Sequence, residues 1–169
     1  MDAIDAILTR RSIRKYSKKT INDNTIRQLL ETAFSAPSAS NRQPWHYIII
    51  DEREKLDAVS NFHPYAKMLK NAKKAILVCG DLRLEKLHGY LSLDCSASTE
   101  NILIAAHAKG LGACWLGIYP REERITKIKK LLNLPKHILP ISLISLGYPA
   151  EHKTKEDRYN EARVHYNEW

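Results

Sequence analysis

Glycine and cysteine are scarce in this chain of 169 residues, and their scarcity excludes several chemistries. None of the six glycines builds Gly-x-Gly-x-x-Gly after an apolar strand, so a Rossmann dinucleotide site is poorly supported. Gly110-Leu111-Gly112 lacks the third glycine and follows a helical stretch, the wrong context. There is no P-loop, no His-Glu-x-x-His and no Gly-x-Ser-x-Gly. Cys79, Cys95 and Cys114 are odd in number and widely spaced, without a Cys-x-x-Cys. That argues against a disulfide framework, a zinc site or an iron–sulfur cluster, and favours buried, reduced thiols in a cytoplasmic protein. The seven histidines show no metal-ligand spacing. No apolar run approaches the ~20 residues a bilayer span requires. The longest, around Ile138–Leu146 and Ile102–Ala106, are of core size. Met1-Asp2-Ala3-Ile4-Asp5 carries acid and no basic start before an apolar stretch, which argues against a secretory signal.

Acid is also in short supply. Lys and Arg number 27 against 19 Asp and Glu, a formal net charge of +8. Such a balance suits nucleic acid, an anionic surface or a phosphorylated small molecule. The lysine-rich stretches Lys67–Lys74 and Lys127–Lys130 have no interleaved aromatics for base stacking. They read as solvated faces, and neither a nucleic-acid nor a membrane partner is expected. With 44% hydrophobic residues, the chain has material for one core, and residues 1–169 read as a single domain.

Periodicity supplies an outline. Ala3, Ile4, Ile7 and Leu8 share a face of a short opening helix. Asn22 or Asp23 caps a second helix carrying Ile26, Leu29, Leu30 and Ala33. Pro37 and Pro44 bracket an irregular loop ending at Trp45. His46–Ile50 reads as a buried strand, Glu52–Ser60 as a helix, and Ala75–Cys79 as a second strand. Leu84–Lys109 is the longest helical candidate, apolar nearly all round in its second half and stopped by Gly110. Ala113–Gly117 is a short apolar stretch leaving a glycine turn, and Arg121–Asn133 is an amphipathic helix. Ile138–Leu146 reads as a strand whose Pro140 disfavours a central hydrogen-bonded position. The polar tail from Glu151 ends in Tyr159, Val164, Tyr166 and Trp169, a pattern that suggests packing on another chain.

Four segments could carry chemistry. Arg10-Arg11-Ser12-Ile13-Arg14 sets three guanidinium groups and a hydroxyl within five residues, a dense anion-binding set. A solvated basic turn at a helix end accounts for the same residues, and composition alone favours it. Pro37–Trp45 offers Ser38, Ser40, Asn41 and Gln43 on a proline-stiffened backbone that could hold a flat heterocycle at small ordering cost. At about ten residues the loop is longer than an ordinary connection. Gly110–Gly117 would let a backbone approach a ligand closely, or would serve close packing beneath the long helix. The tail sets Arg158, Arg163 and His165 among aromatics, where a solvated arginine is the usual case. Cys114 reads as core.

Together, and in this order, the segments resemble the nitroreductase family. The chain has Arg10-Arg11-Ser12-Ile13-Arg14, then Pro37-Ser38-Ala39-Ser40-Asn41-Arg42-Gln43-Pro44-Trp45, then the Gly-Leu-Gly-x-x-Trp-x-Gly of residues 110–117. Arg158-Tyr159 and Val164-His165-Tyr166-Asn167-Glu168-Trp169 complete the set. The resemblance implies an α+β sandwich, a mostly antiparallel sheet flanked by helices, with swapped termini in a homodimer. It implies FMN as cofactor, NADH or NADPH as reductant, and small-molecule acceptors such as nitroaromatics or quinones reduced by a ping-pong mechanism.

By motif position, Arg10, Ser12 and Arg158 resemble the phosphate ligands, with Arg11 beside them, and Arg14 the cation at the pyrimidine edge of the flavin. Pro37, Ser38, Ala39 and Ser40, with Asn41, resemble the segment that crosses onto the partner's ring system. Leu116 and Gly117 resemble the backbone near flavin N5, and Lys67 a second cation. No protein acid or base is implied. The resemblance places the chain at the short end of the family, without the helical insertion that covers the flavin in larger members. A relative with other flavin chemistry, such as reductive dehalogenation, and a non-catalytic flavin-binding sensor stand as alternatives.

Overall fold

A computed structural model describes residues 1–169. Five α-helices and four strands alternate with short 3₁₀ turns: α1 Ala3–Thr9, α2 Asp23–Phe34, β1 Trp45–Ile50, α3 Arg53–Phe62, β2 Lys74–Asp81, α4 His88–Ala108, β3 Gly112–Gly117, α5 Glu122–Leu131 and β4 Ile138–Gly147. The strands form one sheet in the order β1-β2-β4-β3, antiparallel throughout. This is the α+β arrangement of sheet and flanking helices that the motifs imply; within one chain the sheet is wholly antiparallel.

α4 is the central helix and lies against all four strands. Its side chains Leu91, Cys95, Ile102 and Ala106 are fully buried, and α2 packs over it with Leu29 and Ala33. Thr99 and Ser142 satisfy each other's hydroxyls between helix and sheet at 2.7 Å. On the opposite face, α3 and α5 contact each other and α5 meets β4, while the Tyr16 hydroxyl bonds Ser145 Oγ at 2.7 Å. Both faces being covered, β2 and β4 are buried almost end to end.

Local chemistry sets most boundaries. Asn22 caps α2, its side chain accepting the Thr25 N–H at 2.7 Å. Gly110, at φ +73°, ends α4: its N–H donates to His107 O and the Leu111 N–H to Ala106 O, the two bonds of a Schellman cap.

Three expectations need correction. The Pro140 strand is not at an edge; β4 is interior, between β2 and β3. It tolerates proline because the β2–β4 register shifts there, pairing Cys79 with Pro140 and leaving Ile141 as an extra residue, and because β3 pairs only from Ser142 onward. β1 is an edge strand with one exposed and three half-buried residues rather than a buried one. The expected opening helix is present as α1, and it turns its apolar stripe outward: Ile4, Ile7 and Leu8 are exposed and Ala6 alone is buried. α4 begins at His88 rather than Leu84, and its first turns leave Tyr90 and Leu93 exposed.

Candidate functional site

The functional geometry gathers at the outer edge of β3. The first half of that edge is covered: Ser12 pairs in parallel with Ala113, and the Ile13 N–H donates to Ala113 O at 2.9 Å. Gly112 permits the approach, since a Cβ there would lie 2.6 Å from Ile13 Cγ2. Beyond Ile13 the covering strand leaves β3 and joins residues 148–151. Ser17 N–H donates to Tyr148 O at 2.8 Å, and Ala150 N–H to Lys15 O at 2.9 Å. Glu151 then accepts the backbone N–H groups of Arg14 (2.5 Å) and Lys15 (3.1 Å). Those bonds and the nearby lysines hold the Glu151 carboxyl below its ordinary pKa.

The divergence opens a cleft of about 660 Å³, within the range of small-molecule sites. Trp115, Leu116 and Gly117 of β3 form one wall, and the His63–Asn71 segment after α3 forms another. Arg14, Lys15, Lys67 and Lys153 line it against the single carboxylate of Glu151. The cleft is therefore electropositive and suited to an anionic ligand.

Strand alternation fixes what β3 offers. The Ala113 carbonyl faces outward, so two and four residues on, Trp115 and Gly117 turn their N–H and C=O groups to the same outer edge, where the Gly117 C=O is already taken by His63 and Arg124. A Cβ on Gly117 would meet nothing within 4 Å. Protein packing does not require glycine there, and the space a side chain would take is left to the cleft.

The sequence-predicted residues fall into four places. Arg14, Lys67, Leu116 and Gly117 come together in this cleft. Arg10, Arg11 and Arg158 line a second concavity of about 590 Å³ between the end of α1 and the tail. There Arg10 pairs with Glu100 (3.1 Å) and Arg158 with Glu156 (2.7 Å). Arg11 is committed to carbonyls, donating to Thr154 O, Leu8 O and Arg10 O, with Nη2 buried and unpartnered. Ser12 belongs to the β3 edge, where its carbonyl accepts Lys153 Nζ at 2.7 Å.

Pro37, Ser38, Ala39, Ser40 and Asn41 stand apart, lining none of the larger concavities. Ser40, Asn41 and Gln43 all have left-handed φ near +50°. Such backbone costs of order 1–3 kcal/mol per residue and persists only where the surroundings enforce it. Here Asp94 does so from α4, Oδ1 accepting the Ala39 N–H at 2.9 Å, while Ser38 Oγ accepts the Gln43 N–H at 2.9 Å. Sequence reasoning missed Lys15, Lys153, His63, Tyr65 and Asp94. A lone histidine or aspartate with no motif around it gives no signal.

The site is a cation-rimmed cleft at the edge of a helix-flanked antiparallel sheet, suited to an anionic ligand held against main chain. The model of the nitroreductase family matches residues 7–78 and 59–148. A protein of Methanothermobacter thermautotrophicus described as "Putative NADH dehydrogenase/NAD(P)H nitroreductase" is 45% identical over 169 residues, covering 100% of this chain and 88% of the relative. A crystal structure of a protein so described from Bacteroides thetaiotaomicron superposes with a TM-score of 0.95 at 41% identity, over 99% of this chain and 98% of that one. An FMN-dependent nitroreductase of Clostridium difficile superposes with a TM-score of 0.90 at 28% identity, over 98% and 99%. The chain belongs to the nitroreductase family. It is an oxidoreductase of the NAD(P)H nitroreductase/FMN reductase kind.

Proposed function

We propose that the chain binds FMN in the cleft along β3, accepts electrons from NADH or NADPH, and reduces nitroaromatics, quinones or related conjugated acceptors. The observation that carries this is the Gly117 position: it lines the 660 Å³ cleft, a Cβ there would meet nothing within 4 Å, and cations stand on the rim. Arg14, Lys15 and Lys67 make no side-chain hydrogen bond or ion pair within the chain, so their charge is free for a ligand. Arg14 and Lys67, which line the cleft, would hold the polar edge of the ring. The resemblance assigns the phosphate to Arg10, Ser12 and Arg158; Arg10 and Arg158 line the neighbouring concavity and would exchange Glu100 and Glu156 for it. FMN, when bound, supplies the hydride and electron chemistry. The protein binds and orients it, and the positive charge of Arg14 favours the reduced, more negative form.

The active form is a homodimer. Ile4, Ile7, Leu8, Tyr90, Leu93, Tyr159, Tyr166 and Trp169 are all exposed in the single chain, and Trp169 wholly so. That much apolar surface on α1, α4 and the tail fits burial against a second copy. The Pro37–Asn41 turn, held rigid by Asp94, would reach the partner's flavin as the family resemblance implies. Reductant and acceptor would share one place in turn, giving parallel double-reciprocal plots. The deciding experiment is an absorption spectrum of the purified protein before and after NADH or NADPH. A flavin spectrum bleached by either nicotinamide is expected. A colourless protein that takes up no FMN ends this reading, and a yellow protein indifferent to both nicotinamides favours the sensor.

A further inference from the structure

The Gly117 carbonyl accepts two side-chain donors, one from His63 and one from Arg124. His63, at the end of α3, is buried, and its two ring nitrogens have distinct partners. Nδ1 lies 3.2 Å from the Tyr65 backbone N–H, which must donate to it. Nδ1 is therefore unprotonated and the proton sits on Nε2, which donates to the Gly117 carbonyl at 3.0 Å. Arg124 of α5 donates to the same oxygen through Nη1 at 2.7 Å. The next amide, Ile118 N–H, donates to Ile141 O at 3.2 Å. The peptide between Gly117 and Ile118 is thus fixed on both sides, at a glycine whose φ and ψ no side chain restricts. Burial, helped by the Arg124 charge, holds the His63 pKa below its ordinary value. The neutral ring is the form that can accept from Tyr65 and donate to Gly117 at once.

We propose that His63 and Arg124 are positioning residues of the flavin site: gripping the Gly117 carbonyl from α3 and α5, they hold the Gly117–Ile118 peptide and so restrain the φ and ψ of Gly117, the backbone that presents its N–H to the bound ring. The inference rests on the FMN reading above. Neither residue belongs to a motif that gave the resemblance, and Arg124 does not line the cleft. The two donors act through one atom, so their losses are coupled rather than additive. Arg124 also brings a full positive charge to that atom, whereas neutral His63 brings only a hydrogen bond. This difference gives each residue its own signature.

The test uses the holoenzyme and four variants. His63→Leu removes the donor at similar volume, and His63→Gln restores an N–H of similar reach. Arg124→Met removes the charge, and Arg124→Lys restores it. His63→Leu should lower kcat for flavin reduction about tenfold with a smaller change in KM, and weaken FMN binding by the apo-protein. Hydrogen exchange in apo-protein segment 116–119 should accelerate, and His63→Gln should recover most of each loss. Arg124→Met should lower the flavin midpoint potential, and Arg124→Lys should restore it. If wild-type protein binds no FMN, the FMN reading fails and takes this proposal with it. If wild type binds FMN while folded His63→Leu and Arg124→Met keep its kcat, potential and exchange rates, the positioning role alone is overturned. Should His63→Leu fail to fold, the half-exposed Arg124 pair decides by potential.

Discussion

Gly117 and Gly112 share a strand and answer to different demands. At Gly112 a Cβ would collide with Ile13, so glycine serves the fold; at Gly117 it would meet nothing, so glycine serves the ligand. Gly117→Val should leave the melting temperature near that of the parent, because strand backbone favours β-branched residues. It should weaken FMN binding at least about tenfold, ~1.4 kcal/mol, which titration of the apo-protein measures. A well-folded valine variant with undiminished FMN affinity would show that the β3 edge is not the flavin wall. At this scale, what the sequence revealed was local. The Asn22 cap and the Gly110 stop act within four residues of themselves, so they were legible. His63 meets Gly117 across 54 residues, and no spacing rule connects them. The motif residues Arg14, Leu116 and Gly117 were found through resemblance, but composition could not say that they share a cleft.

Among the elements, the strands and helices were legible from apolar periodicity, and the errors lie where a partner element decides. Pro140 misled because the bulge that accommodates it is a property of the β2–β4 pair, not of β4. The α1 stripe was legible as a helix face, but period alone cannot say whether an apolar stripe meets its own core or another surface. The tail is the element whose role is easiest to test. Residues 159–169 leave Tyr159, Tyr166 and Trp169 exposed, with Trp169 stacked on His165 at 4.5 Å. Deleting 159–169 should lower both the dimer fraction at micromolar concentration and FMN occupancy, with the β-sheet signal retained. Sedimentation showing a truncated protein that is still a flavin-loaded dimer would remove the tail from the interface.

For the whole molecule, acid stability has an identifiable contributor. Asp81 at the end of β2 is buried and accepts Arg83 N, Nε and Nη2 at 2.7–3.1 Å. Arg83 foremost holds its carboxyl at about 2, against 3.8 unperturbed. A depressed carboxylate stabilises the folded state fully above its unfolded pKa, and that stability is lost as pH falls through the folded value. Melting temperature should therefore decline between about pH 4 and pH 2, with Asp81→Asn starting lower at neutral pH and declining less across that window. Equal slopes for the two proteins would assign the acid sensitivity to other carboxylates.

The cleft wall is assembled from chain segments remote in sequence: Ser12 beside Ala113, Lys15 beside Ala150, and Arg14 beside Glu151. Loop closure of that length is slow relative to helix formation, so topology orders events in time. Helices α2 and α4 should form early, and the 12–17 strand should dock late, after β3 and β4 have paired. A refolding chain would then acquire most of its secondary structure before it acquires a flavin pocket. In stopped-flow refolding with FMN present, the far-ultraviolet circular dichroism signal should lead the change in flavin fluorescence. Two signals rising together, at an FMN concentration high enough that binding itself is not limiting, would mean that the pocket and the sheet form in one step.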